Sequence, residues 1–369
     1  MRKIIGFILL LTVCCTTACL FSVDSSAEGN GFTEEVYDSV PEDVQRLFEK
    51  MGITSIDFDS VFDVSAQDVF DIIKKLLTGA VESPLVSVVR LIAIILILSL
   101  FGSFVPTDSK VKDVMSLAGI LFCVISFIKP LLFAVTSAVS SIAVAEKFML
   151  VLIPVLTGIV SASGNPSLAL SFQTIAFAAA QVLSLIASQM LVPVVGVVLS
   201  LDIVGSMMPY FSLNSLTDVL KKSITAVMSF SATIFVSFLG LKAGLANTAD
   251  SLLGRGMKLV ISSAVPVVGG ALSEAYSGIV GSMLLVKSTV GVFGIGAIAL
   301  ITLPSCIQLL VWIFALKISA GIAEMFEQKS VGSLLKAVSS SLVLLNVIII
   351  FVAVLFIIST ALILVLKAG

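Results

Sequence analysis

Apolar residues in this chain run in long blocks, and polar positions fall between the blocks rather than alternating within them. The first clear block is Leu85 to Val105, opened by Pro84 and closed by Pro106-Thr107-Asp108. Others lie at 114–144, 148–160, 170–201, 224–245, 259–272, 279–316 and 340–366. A helix that crosses a bilayer needs ~20 apolar residues, so some blocks are too short for one crossing and others too long. The pattern predicts an all-α, polytopic helical membrane protein with about seven crossings and short re-entrant or broken helices. An odd count after an outside N-terminus places Lys367 in the cytoplasm.

The block from Leu259 to Leu303 departs most from a plain lipid-filling helix. It contains Pro266, Gly269, Gly270, Glu274, Gly278, Gly281, Lys287, Gly291, Gly294 and Gly296. Proline removes a backbone donor, and glycine permits close helix approach or a non-helical turn. Irregular backbone at membrane depth is tolerated only inside protein or along a watery cavity. Pro266, Gly269, Gly270, Glu274, Lys287, Gly291 and Gly294 are therefore the candidate intramembrane polar and packing site. A bend at Gly278 or Gly281 would bring Glu274 and Lys287 together; otherwise each lies at a headgroup or protein interface. Gly240 and Gly244 form a GxxxG spacing suited to close helix packing. Pro154, Pro193 and Pro266 open the similar runs PVLTGIVS, PVVGVVLS and PVVGGALS, which reads either as a duplicated broken-helix device or as chance in a biased chain.

The beginning of the chain is of another kind. Arg2 and Lys3 precede an apolar run from Ile4 to Val13, and Ser25-Ser26-Ala27 offers small residues for signal peptidase. Residues 1–27 read as a signal peptide cleaved after Ala27, with an uncleaved anchor or lipidation at Cys19 as alternatives. Residues 28–82 carry thirteen acidic and four basic residues, a net charge of −9. Residues 83–369 carry fifteen basic and nine acidic residues, a net of +6, and form the polytopic membrane domain. That asymmetry suits a small extracytoplasmic helical segment followed by basic cytoplasmic loops. Pro41-Glu42-Asp43 opens one helical run with Val44, Leu47 and Phe48, and Ser65 caps a second with Val69, Ile72, Ile73, Leu76 and Leu77. The segment is either a solvated spacer or a docking surface.

Composition agrees with the membrane reading: 58% of the residues are hydrophobic, 12% are charged, and mean hydropathy is +1.20. Soluble domains average roughly 25% charged residues. The absence of histidine removes the usual general base and the commonest metal ligand. Cys14, Cys15, Cys19, Cys123 and Cys306 form no CxxC pair. With no HExxH, P-loop or GxSxG, the chain is expected to be no enzyme, and neither cofactor, metal nor nucleic acid is expected.

One region is more specific. Phe230-Ser-Ala-Thr-Ile-Phe-Val-Ser-Phe-Leu-Gly240, Asp250, Lys258, Val265-Pro-Val-Val-Gly-Gly270, Ser273-Glu-Ala275, Leu284-Leu-Val-Lys287 and Val290-Gly-Val-Phe-Gly294 resemble the stage III sporulation protein AE family. Departures are Gly254-Arg-Gly-Met-Lys258, where the family more often has Arg-Thr before a lysine, and Ser288, where an asparagine usually follows. The resemblance implies a membrane subunit of a secretion-like channel complex in the outer forespore membrane of endospore-forming bacteria. The implied partners are the other stage III sporulation A-series proteins and, through them, a forespore-made membrane protein. Residues 28–82 would then face the intermembrane space. A self-sufficient transporter or permease, and a structural membrane scaffold, are the alternatives; oligomerisation is left open.

Overall fold

The computed structural model describes residues 29–104, 110–162, 185–207, 215–235 and 269–365, with isolated positions between them. The leader, Pro266 and the Gly240/Gly244 pair lie outside the described residues. Among the described residues every regular element is helical. Three short helices come first: α1 (Gly29–Asp38), α2 (Glu42–Lys50) and α3 (Phe58–Phe62). The long helices α4 (Ala66–Gly102) and α5 (Lys110–Ala162) follow. A π-helical turn (Leu185–Leu191) runs into α6 (Val192–Met207), and α7 covers 215–235. The chain closes with α8 (Gly269–Met325) and α9 (Lys329–Val365).

The first three helices form for local reasons that the sequence states. Ser65 caps α4 as expected: its hydroxyl accepts from the Gln67 amide at 3.2 Å, and Asp68 reaches back to the Ser65 amide at 3.2 Å. In α2, Val44 and Phe48 point inward while Arg46 sits in the open beside Glu42 and Asp43. Neither a free spacer nor a partner's docking site describes that inner face. Phe48 stacks on Phe293 of α8 with ring centroids 4.6 Å apart, and Tyr37 lies 5.9 Å from the same ring. The segment is thus clamped to the chain's own core. Burial first, then Glu49 and Asp38, raise the pKa of the Tyr37 phenol, which keeps it neutral against that apolar contact.

α8 and α9 form an antiparallel hairpin around which the other helices gather. Its register is visible in Ser339, whose hydroxyl meets the Ile313 carbonyl at 3.5 Å, and in Leu364, which covers Gly291. α5 lies antiparallel along α8, with Ser305 donating to the Ser137 carbonyl at 3.3 Å and Leu152 against Gly294. α4 returns along α5, with Leu98 over Gly119. Trp312, Phe127, Phe148, Phe293 and Phe356 are the largest wholly buried side chains of this core. Away from it, Val89, Leu100, Phe101, Phe122, Ile125 and Phe133 of α4 and α5 are exposed, an apolar surface suited to acyl chains.

Among the described residues the helices run longer than the apolar blocks suggest. α4 runs straight through Pro84, where the first span was expected to begin. α5 carries the blocks 114–144 and 148–160 as one helix through Glu146 and Lys147, with Pro130 and Pro154 inside it. α8 likewise absorbs 279–316, and its backbone remains helical at Gly278 and Gly281, so the alternative of a bend there does not hold. The reason is physical. An unpaired backbone group in an apolar medium costs several kcal/mol, so the helix persists past residues that would end it in water. Glu and Lys are themselves good helix formers. At 1.5 Å per residue, the 57 residues of α8 extend about 85 Å, far beyond a hydrocarbon core of ~30 Å. Five of the described helices are long and apolar enough to cross a membrane. Pro154 lies inside α5 while Pro193 lies in the first turn of α6, so these two members of the echo mark different structural places.

The α8–α9 turn is unusually tight. Glu327 adopts a left-handed φ of 59°, the Gln328 amide bonds to the Ala323 carbonyl at 2.8 Å and the Glu327 amide to Glu324 at 3.1 Å. This is a Schellman ending with glutamate where glycine is usual. Glu327→Gly should therefore raise stability by roughly 0.5–1 kcal/mol, the αL strain relieved less the added chain entropy, read as a higher unfolding temperature in detergent. Gly294→Leu should lower it by about 1–3 kcal/mol, because even a Cβ there would stand 2.6 Å from Leu152. Gly321→Ala, with open space around it, should be neutral or stabilising in the same assay.

Candidate functional site

The most concentrated chemistry within the apolar part lies where α6, α7 and α9 meet. Asp202 of α6 has a side chain only 2% exposed, and Lys221 of α7 has one 20% exposed. The lysine ammonium donates to both carboxylate oxygens, at 3.0 and 3.3 Å. It also donates to the Ser340 hydroxyl at 2.6 Å, and the Ser341 hydroxyl donates to Asp202 Oδ2. Neighbouring serines of one helix thus address opposite members of an ion pair. Ser340 is exposed and Ser341 buried, so α9 reaches the pair from its rim and from within.

Taking both charges out of water is expensive, and their attraction repays that cost only where the remaining donors and lone pairs are satisfied. The two hydroxyls perform that service. The cluster joins the α6–α7 pair to the α8–α9 hairpin through directional bonds. Beside it lies a cavity of about 130 Å³ between α5, α6 and α9, apolar but for Ser341. Among the described residues no group of three His, Cys, Asp or Glu side chains could hold a metal ion.

The residues singled out from the sequence are distributed differently. Gly269, Gly270 and Glu274 lie in the first turns of α8, and Pro266 lies outside the described residues. Lys287 is buried, with 4% of its surface exposed. The continuous helix sets Glu274 and Lys287 about 20 Å apart along its axis, so it does not bring them together. Gly291 and Gly294 mark two close approaches to α8: Leu364 of α9 over the first and Leu152 of α5 over the second. Gly296 faces the Phe48 ring at ordinary contact distance, the nearest atom standing 3.7 Å from an added Cβ.

Asp202 was visible in the sequence as a charge in an apolar run. Lys221 and the serine run Ser339-Ser340-Ser341 were not connected to it, because 19 residues separate the lysine and 139 separate Ser341. A lone acid in an apolar helix is a reason to seek a distant basic partner, and only the folded chain names it.

Comparison with known proteins gives a consistent picture. The family described as stage III sporulation protein AE matches residues 55–367. A relative from Bacillus subtilis (strain 168), named stage III sporulation protein AE, is 24% identical over 226 residues. That match spans 61% of this chain and 57% of the relative, less than two thirds of the relative's length. No solved structure matches.

The ion pair makes a quantitative prediction. Asp202→Ala or Lys221→Ala alone should destabilise the protein by about 3 kcal/mol, since each strands the opposite buried or half-buried charge. Asp202→Leu combined with Lys221→Met should recover most of that loss. Additive losses in a double-mutant cycle, measured by thermal unfolding, would show that the two do not interact.

Proposed function

The chain belongs to the stage III sporulation protein AE family, and from that premise we propose that it is a non-enzymatic, multi-pass membrane subunit of a transenvelope, secretion-like channel complex. The complex acts between mother cell and forespore during endospore formation. The subunit sits in the outer forespore membrane and meets the other stage III sporulation A-series proteins there. They in turn contact a membrane protein made in the forespore.

The observation that carries this reading is the coverage of the family match, which takes in α4 through α9 and so nearly the whole helical body. The form of that body supports it. The antiparallel helices α5 and α8, of 53 and 57 residues, exceed a bilayer's thickness and provide a core reaching beyond the membrane. Such a core suits a part that is built into a larger assembly. Asp202, Lys221 and the two serines hold helices together, as polar groups within such a part would.

Purification from sporulating cells tests the reading. The chain should leave the membrane in mild detergent together with other A-series proteins, and its removal should abolish heat-resistant spores. Reconstituted alone in liposomes, it should move no solute. A chain that purifies alone, is dispensable for spores, or catalyses solute flux by itself would contradict the proposal, and the last result would favour a self-sufficient transporter.

A further inference from the structure

The small helices ahead of the membrane body have two faces, and only one is used within the chain. Val61 and Ile72 point inward and are buried, as Phe48 is. Phe58 and Phe62 stand outward on α3, each 49% exposed, with ring centroids 4.6 Å apart. Three residues later α4 begins, and its first turns expose Val69 and Phe70, the latter at 66%, with Leu77 further along. Two exposed phenylalanines touching each other, with a third exposed on the first turns of α4, give this segment an apolar surface that water would not favour.

Lipid does not account for it. Phe70 precedes Leu85, where the apolar part of α4 starts, by fifteen residues of unbroken helix, or about 22 Å. Asp71, Lys74, Lys75 and Glu82 are exposed along that interval and belong in water. Around α3 the charge is of one sign, and Lys74 and Lys75 enter only a turn after Phe70. Between Met51 and Ile73 lie Asp57, Asp59, Asp63, Asp68 and Asp71, with no lysine or arginine. An anionic membrane surface would repel it, and so would the same patch on a second copy of this chain.

We propose that the outward face of α3 and the start of α4, centred on Phe58, Phe62 and Phe70, is a docking surface for a protein segment that presents apolar side chains flanked by lysine and arginine. Aromatic anchors in the middle and complementary charge at the rim are the arrangement that gives a protein interface both affinity and orientation. The partner is a different protein of the assembly, so the proposal rests on the reading of the chain as a complex subunit. It adds which surface is used and what chemistry it meets.

The test places a photoreactive phenylalanine analogue at position 62 or 70 of the full-length protein in sporulating cells. After irradiation, the crosslinked peptide is mapped by mass spectrometry. The expected product joins a segment of another protein with net positive charge and apolar residues. Asp63→Asn with Asp71→Asn should lower its yield by roughly threefold or more, as loss of rim charge slows association. Crosslinks to lipid, to a second copy, or to an acidic segment would overturn the proposal, as would a yield indifferent to the aspartates. If no crosslink forms while the A-series proteins still co-purify, the surface assignment fails and the functional reading stands. If nothing co-purifies, both fail.

Discussion

Helices in lipid gain nothing from hiding apolar surface from water, so what holds them together is how closely their backbones can approach. In this protein that constraint converges on a short stretch of α8. Gly291, Gly294 and Gly296 receive Leu364 of α9, Leu152 of α5 and the Phe48 ring of α2. At about 100° per residue the first two glycines lie about 60° apart around the helix, and the third lies about 140° from the first. Three separate elements therefore close on α8 from different directions within two turns. The polar N-terminal segment and the apolar bundle thus both pack against this stretch.

Directional bonds fasten what small residues cannot. The α6–α7 pair has a largely apolar surface, and an added Cβ at Gly196 would meet nothing. Instead it is tied by Asp202, Lys221, Ser340 and Ser341. The contrast between a dry seam and a polar pin also divides the fold by the ease with which its parts could move. A glycine seam loses contact gradually as helices shift, whereas a buried ion pair resists separation until both charges find another partner.

The sequence made the helical membrane class, the apolar run of every described long helix and the Ser65 cap legible, because each depends on local composition or spacing. It mistook punctuation for boundaries. Pro84 and the Glu146-Lys147 pair would mark helix ends in water, and in this apolar setting they lie inside helices. Gly291 and Gly294 were recognisable as small residues, but their neighbours Leu364 and Leu152 are distant in the chain and generic in type. Glu327 in the left-handed region was invisible for the opposite reason: glutamate carries no turn signal, and tertiary packing of the hairpin imposes the conformation. The ion pair combined both difficulties, one member noticed and the other hidden among ordinary surface lysines.

The central claim is that the α8 stretch around these glycines is enclosed by protein and not by acyl chains or water. Spin labels placed singly along residues 284–303 in reconstituted membranes report it through collisions with oxygen, which partitions into lipid, and with a water-soluble nickel complex. The account predicts low accessibility to both reagents at Val290, Phe293 and Ala297, rising at Leu285, which faces outward. High oxygen accessibility all round the helix would mean that it stands alone in lipid, and the account would be wrong.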